Sequence, residues 1–142
     1  MELMAQRSEH GSESRPSWLN AEFVRYLCVG LLNSAVGLCV TYFCIYCLKT
    51  NDVTANALGY SAGITTSFAL NRSWTFSIGG PPVSQFARFL LVTAVAYAAN
   101  LATVLALIHH LNHNRYLAQA AGALPYTAIG YLGSRFFAFR RR

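Results

Sequence analysis

The sequence predicts an all-α membrane protein of four transmembrane helices, arranged as two tandem parallel helical hairpins with both termini in the cytoplasm. Three observations carry this prediction. The first is composition: the 142 residues are 54% hydrophobic and only 11% charged, whereas a soluble domain carries about 25% charged residues. The second is where the charges fall. Uncharged runs of 23, 19, 20 and 19 residues separate Arg25 from Lys49, Asp52 from Arg72, Arg88 from His109 and Arg115 from Arg135. A helix needs about 20 mostly apolar residues to cross about 30 Å of hydrocarbon, so each run suffices for one span. A soluble four-helix bundle would show a polar face along each helix, and these runs show none. The third is a repeat: shifted by 63 residues, Phe23–Phe76 falls on Phe86–Phe139 without a gap, with 14 identities in 54 positions. Shared composition scatters Ala and Leu matches, but it does not set Arg25 on Arg88 and Arg72 on Arg135. The chain reads as a tandem duplication, repeat 1 over 23–76 and repeat 2 over 86–139.

Taken in order, residues 1–22 are polar and hold four of the five acidic residues, Glu2, Glu9, Glu13 and Glu22. They read as a disordered cytoplasmic tail and not as a signal peptide, because no apolar core follows an early basic stretch. The first span then serves as an uncleaved start-transfer helix. Lys49-Thr50-Asn51-Asp52 forms the outer turn of the first hairpin. The second span carries small or polar residues at every fourth position, Ala55, Gly59, Gly63, Ser67 and Asn71, which lets a neighbouring backbone approach closely. Ile78-Gly79-Gly80-Pro81-Pro82 interrupts any helix and links the repeats. After the third span, Asn112-His113-Asn114-Arg115 forms the second outer turn. The fourth span repeats the stripe as Ala118, Gly122, Tyr126, Gly130 and Ser134, and Pro125 is expected to kink it. Residues 140–142 are a basic cytoplasmic tail.

Orientation follows from the basic residues. Arg7, Arg15, Arg25, Arg72, Arg88, Arg135, Arg140, Arg141 and Arg142 share one side, against Lys49 and Arg115 on the other, which places the termini and the central linker in the cytoplasm. The net charge of +6 is therefore a topology signal and an attraction to anionic membrane lipids. It is not a nucleic-acid footprint. Two hairpins with the same in–out–in path leave a seam between them, the natural place for a ligand.

Absences narrow the chemistry. No Asp or Glu lies in any predicted span, so the carboxylate that a cation-coupled exporter needs is missing. No nucleophile stands beside a base and no carboxylate pair is present, so the chain is not expected to be an enzyme. Cys44-Ile45-Tyr46-Cys47 has C-x-x-C spacing, but with no second pair it reads as space-filling, as do Cys28 and Cys39. His109, His110 and His113 read as a polar cap at the outer interface in preference to a metal site. No cofactor is implied.

What remains is a layer of arginines at the inner interface: Arg25, Arg72, Arg88 and Arg135, one per span. Each alone could be a snorkelling anchor. Arg72 and Arg135 stand at equivalent sites, each after a small polar residue, Asn71 or Ser134, and before spaced aromatics. A guanidinium fork beside an amide suits a phosphate oxygen. Trp74 is either an interfacial belt residue or a stacking surface for a sugar. Deeper polar residues, among them Asn33 and Asn100, suggest a groove suited to sugar hydroxyls.

These motifs resemble the GtrA family. The resemblance rests on Val29-Gly30-Leu31-Leu32-Asn33-Ser34, on Leu70-Asn71-Arg72-Ser73-Trp74-Thr75-Phe76, on Asn100 and on Arg135-Phe136-Phe137-Ala138-Phe139, and it covers residues 23–139. It implies a GtrA-like four-helix domain of the bacterial inner membrane. The implied function is flipping of a polyprenyl-phosphate-linked sugar, such as undecaprenyl-phosphate glucose, for cell-surface polysaccharide synthesis. The alternative it implies is a membrane anchor that recruits a glycosyltransferase. On that basis Arg72 and Arg135, supported by Arg25 and Arg88, are expected to hold the lipid phosphate. Asn33, Asn71, Asn100, Ser134 and Trp74 are expected along the headgroup path. Ser134 stands where the family often has Asn, and Thr93 where it has Gly, so the second copy is expected to bind more weakly or to act structurally. Four spans are few to enclose a headgroup, which points to a homo-oligomer.

Overall fold

A computed structural model describes residues 17–111 and 115–140, and every regular element in them is helical. The predicted tail over 1–16, the turn residues 112–114 and residues 141–142 lie outside the described residues. Four α-helices, α1 (Ser17–Tyr46), α2 (Asp52–Leu70), α3 (Pro82–Leu111) and α4 (Arg115–Gly133), follow one another. Helix α1 takes in Ser17–Glu22, part of the segment expected to be disordered. Its last member, Glu22, is held by Arg135.

The first hairpin closes as expected around residues 47–51. Lys49 adopts the left-handed region (φ 52°) and the Thr50 N–H donates back to the Cys44 carbonyl at 3.1 Å. Asn51 then caps α2, its side chain accepting from the Thr54 N–H at 2.8 Å. Asp52 in the first turn complements the positive end of the helix dipole.

Helices α2 and α4 both run straight into a π-helical turn, Asn71–Thr75 after α2 and Ser134–Ala138 after α4. Each is closed by an i to i−5 bond: Phe76 N–H to the Asn71 carbonyl at 2.9 Å, and Phe139 N–H to the Ser134 carbonyl at 2.8 Å. The wider turn re-aims the residues beyond it, and Phe76 and Phe139 end up buried. Pro82 opens α3, where a missing N–H costs nothing.

Helix α1 packs on α2, and α3 on α4. Small residues set the spacing. A Cβ on Gly59 would lie 2.7 Å from the Gly37 carbonyl oxygen, and one on Gly122 would lie 3.2 Å from the Asn100 carbonyl oxygen. Pro125 lies within the continuous α4.

The hairpins meet through aromatic rings near the π-turns. Phe23 meets Tyr131 edge-on at 5.2 Å and 79°, and 63 positions on Phe86 meets Phe68 at 5.0 Å and 76°. Tyr26–Tyr131 at 5.5 Å corresponds in the same way to Phe89–Phe68 at 5.7 Å. Phe76–Tyr131 at 30° corresponds to Phe139–Phe68 at 29°. Phe76, Phe89, Val92, Tyr131, Ala138 and Phe139 form the buried core of this junction.

Outside that core the pattern is inside-out. Leu31, Val53, Leu124 and Tyr116 are 73–85% exposed, while Ala55, Ala96 and Ala118 are fully buried. A water-facing surface this apolar is not tolerated, so the outer surface is solvated by lipid and the protein is a membrane protein. Two helical stretches among the described residues, Ala21–Tyr46 and Pro82–His109, are long and apolar enough to cross a bilayer.

Candidate functional site

The π-turns set Arg72 and Arg135 at one end of the bundle, beside the first turn of α3 and the second turn of α1. Arg72 is clamped there: its Nε donates to Gln85 Oε1 at 2.7 Å and its Nη2 to the Gly80 carbonyl at 2.9 Å. The buried Gln85 amide completes the clamp by donating to the Gly79 carbonyl at 2.7 Å. Arg135 instead donates from Nη1 to the Glu22 carboxylate, in a partly buried ion pair, and to the Tyr131 hydroxyl at 2.9 Å. Glu22 and Gln85 are 63 residues apart. Each arginine therefore reaches the same position of the opposite hairpin, where it meets an anion in one case and a neutral amide in the other.

The other two arginines lie on aromatic faces, as Arg135 also does on Phe136 at 5.5 Å. The Arg25 guanidinium carbon sits 5.8 Å from the centre of the half-exposed Trp74 ring, and Arg25 Nη1 donates to the Trp74 carbonyl at 3.3 Å. Arg88 sits 5.8 Å from the centre of the Phe137 ring. Cation–π contacts of this kind contribute about 0.5–1 kcal/mol at exposed sites.

Two clefts open at this end. One, of about 630 Å³, is lined by Glu22, Phe76, Ile78, Arg135, Phe136, Phe139 and Arg140. The other, of about 670 Å³, runs along Ser77–Pro81 and the start of α3, with Arg88 and Arg140 on its wall.

The remaining expected site residues are placed differently. Asn71 and Ser134, at 1% and 0% exposure, are buried within the π-turns. Asn71 Nδ2 donates to Ser67 Oγ at 3.2 Å, while its Oδ1 and the Thr75 hydroxyl have no partner among the described residues. Asn33 packs against Gly63 inside the first hairpin and Asn100 against Gly122 inside the second. At about 1.5 Å per residue they lie roughly 12 Å and 18 Å along their helices from Arg25 and Arg88. The structure thus brings the four arginines and Trp74 to one end and leaves Asn33 and Asn100 deeper, in separate hairpins.

Glu22, Gln85 and Arg140 belong to this end and were not anticipated. The first two could have been found from the repeat, because they stand one position before Phe23 and Phe86, just outside the aligned stretch. No set of three His, Cys, Asp or Glu side chains that could hold a metal occurs among the described residues. His113 lies outside them. Cys44 and Cys47 are both free, the first buried and the second exposed.

Residues 25–139 match the family described as GtrA/DPMS, transmembrane domain. The chain is 25% identical over 122 residues to a bactoprenol-linked glucose translocase of Salmonella phage P22, covering 83% of this chain and 94% of that protein. It is 26% identical over 122 residues, with the same coverage, to a prophage bactoprenol-linked glucose translocase homolog of Escherichia coli (strain K12). A shorter match, 35% identical over 54 residues, joins it to the bactoprenol-linked glucose translocase of Shigella phage SfII and covers 38% of this chain and 45% of that one. With 115 of its residues, numbers 25 to 139, inside the family match, this chain belongs to the GtrA/DPMS transmembrane-domain family.

Proposed function

We propose that the protein moves a polyprenyl-phosphate-linked sugar between the leaflets of the bacterial inner membrane, for cell-surface polysaccharide synthesis and without ion coupling. The observation that carries this reading is the layer of arginines, with two clefts between them, at one end of a bundle whose flanks are apolar. Such an end suits a lipid phosphate, since guanidinium forks bind phosphate oxygens while the prenyl tail stays in hydrocarbon. The relatives named bactoprenol-linked glucose translocases point the same way.

In this reading the bundle is a tandem duplication with four spans and cytoplasmic termini. Support for the shorter spans comes from their length: α2 with its π-turn runs from Asp52 to Thr75, 19 and 5 residues, or about 36 Å of helix at about 1.5 Å per residue. Support for the duplication comes from the aromatic contacts that recur at the same offset. The layer of Arg72, Arg135, Arg25 and Arg88 draws the phosphate to this end, and the sugar then passes Trp74 at the interface, with Asn71, Ser134, Asn33 and Asn100 backing the path from within the hairpins. The protein acts as a transporter and not as an enzyme, and a homo-oligomer supplies the wall that four spans lack.

A second reading, a non-transporting anchor for a membrane glycosyltransferase, draws on the aromatic core that closes the junction between the hairpins. Reconstitution separates the two. Liposomes holding the purified protein and a labelled polyprenyl-phosphate sugar should exchange the lipid between leaflets faster than empty liposomes. The paired change Arg72→Glu and Arg135→Glu should abolish that gain. Exchange equal to that of empty liposomes, with a glycosyltransferase still co-purifying, would establish the anchor instead.

A further inference from the structure

We infer that the two clefts are unequal, and that the one along Ser77–Pro81, walled by Arg88 and Arg140, is the site that binds a phosphate group. This rests on the translocase reading for its biological ligand, but the binding itself is separable from transport.

The inequality begins at one repeat-related pair of positions. Opposite Arg135 stands Glu22, and the carboxylate already occupies the guanidinium. A phosphate entering that cleft must displace it and leave a partly buried carboxylate without its partner, which is costly. Opposite Arg72 stands Gln85, which is neutral, so no anion competes there. The cleft walls differ accordingly. Arg88 and Arg140 line one cleft with no acidic residue among its lining. Arg135 and Arg140 line the other together with Glu22. One wall presents two net positive charges and the other a single one, while the phosphodiester of a polyprenyl-phosphate-linked sugar carries one negative charge and a phosphate monoester such as undecaprenyl phosphate carries between one and two near neutral pH.

Geometry adds to charge. Arg88 engages a ring face through Phe137, and its N–H edges meet no hydrogen-bond acceptor among the described residues. Ser84 and Gln85 bring the first turn of α3 to the same wall, where unpaired backbone N–H groups and the helix dipole favour an anion. Arg72 is not on that wall. It holds the wall in shape through Gln85 and through the carbonyl of Gly80, whose φ of 97° requires a glycine. Arg88 and Arg140 are therefore assigned as the phosphate-contacting groups and Arg72 as a positioning residue.

The test is a titration of undecaprenyl phosphate into the full chain in detergent micelles, with bound lipid counted by native mass spectrometry. Ser84→Asp sets a carboxylate on the favoured wall at a place where an acid suits the start of a helix. It should weaken binding about tenfold or more while the protein stays folded. Ala21→Asp adds the same charge at the matching position 63 residues earlier and should change affinity by less than about twofold. Arg88→Gln should weaken binding about tenfold, the equivalent of about 1.4 kcal/mol. Displacement of the lipid by inorganic phosphate would assign recognition to the phosphate group alone. Displacement only by farnesyl phosphate would assign it to a lipid-borne phosphate, and either result supports the site.

The inference is overturned if Ala21→Asp costs as much as Ser84→Asp, if Ser84→Asp leaves binding intact, or if the wild type binds neither ligand. Failure of the translocase reading looks different: binding that is sensitive to Ser84→Asp, with no leaflet exchange. Exchange lost in Ala21→Asp and kept in Ser84→Asp would sink the site while transport stands.

Discussion

Phe76 and Phe139, 63 residues apart in the chain, stack on each other at 5.3 Å with their planes 27° apart. Each follows a π-turn and each is buried, at 4% and 1% exposure. The pair is the point at which equivalent residues of the two hairpins touch, and it ties α2 and α4 to the junction. Phe139→Ala should destabilise the protein by about 3 kcal/mol, the low end for a buried aromatic, because lipid and not water surrounds the fold. Phe139→Leu should cost less. Thermal unfolding in detergent, followed by size-exclusion chromatography, reads both, and an unchanged midpoint for Phe139→Ala would show that the hairpins are held together elsewhere.

Gly59 and Gly30 should respond in opposite ways to the same substitution. An added Cβ at Gly59 would meet the Thr41 side chain and the Gly37 carbonyl, whereas at Gly30 it meets nothing within 4 Å. Gly59→Ala is expected to push α1 and α2 apart at a cost of roughly 1–3 kcal/mol. Gly30→Ala should be neutral or slightly stabilising, since alanine is the better helix former. The comparison of melting temperatures is the measurement. Equal losses at the two positions would refute the close-approach account.

The two arginine clamps should differ in their response to salt. A double-mutant cycle of Arg135→Gln with Glu22→Gln should yield a coupling of about 1–2 kcal/mol that shrinks as ionic strength rises. A cycle of Arg72→Gln with Gln85→Ala tests a cation against a neutral amide, so its coupling should change little with salt. Stability measured at low and high salt for both cycles gives the answer. A salt-insensitive Arg135–Glu22 coupling would contradict the ion pair.

The proposed in–out–in path places Ser77 and Asp52 on opposite sides of the membrane. In a background with Cys28, Cys39, Cys44 and Cys47 replaced by serine or alanine, Ser77→Cys should be labelled by a membrane-impermeant maleimide only in inverted vesicles. Asp52→Cys should be labelled only in intact spheroplasts. Labelling of both from one side would mean that α2 does not span.

Much of this architecture was legible in one dimension. Helix type and helix number follow from charge-free runs, because a charge in hydrocarbon is costly enough to mark where a span ends. The turn at Lys49-Thr50-Asn51-Asp52 was readable from the polar and charged residues that separate two charge-free runs. The offset that pairs Arg72 with Arg135 was readable too. The partners of those arginines were not, since Glu22 and Gln85 lie 113 and 13 residues from them along the chain. Asn71 and Ser134, which the resemblance set on the headgroup path, are buried at the ends of the small-residue stripes, and the stripes did not announce the π-turns that begin there. Linear periodicity assumes a regular helix, and a π-turn inserts one residue that the period does not announce.

The sequence by itself settled that this chain is all-helical, that it lives in a membrane and that it belongs with the GtrA/DPMS domains. The first two are sums over many residues, so composition and spacing are enough to reveal them, while the third rests on particular motifs such as Asn71-Arg72-Ser73-Trp74-Thr75-Phe76. Which arginine faces an anion and which an amide was decided by the packing of one hairpin against the other. So was the closing of their junction by six apolar and aromatic side chains. Both depend on contacts between residues far apart in the chain, and only the folded backbone brings such residues within hydrogen-bonding distance.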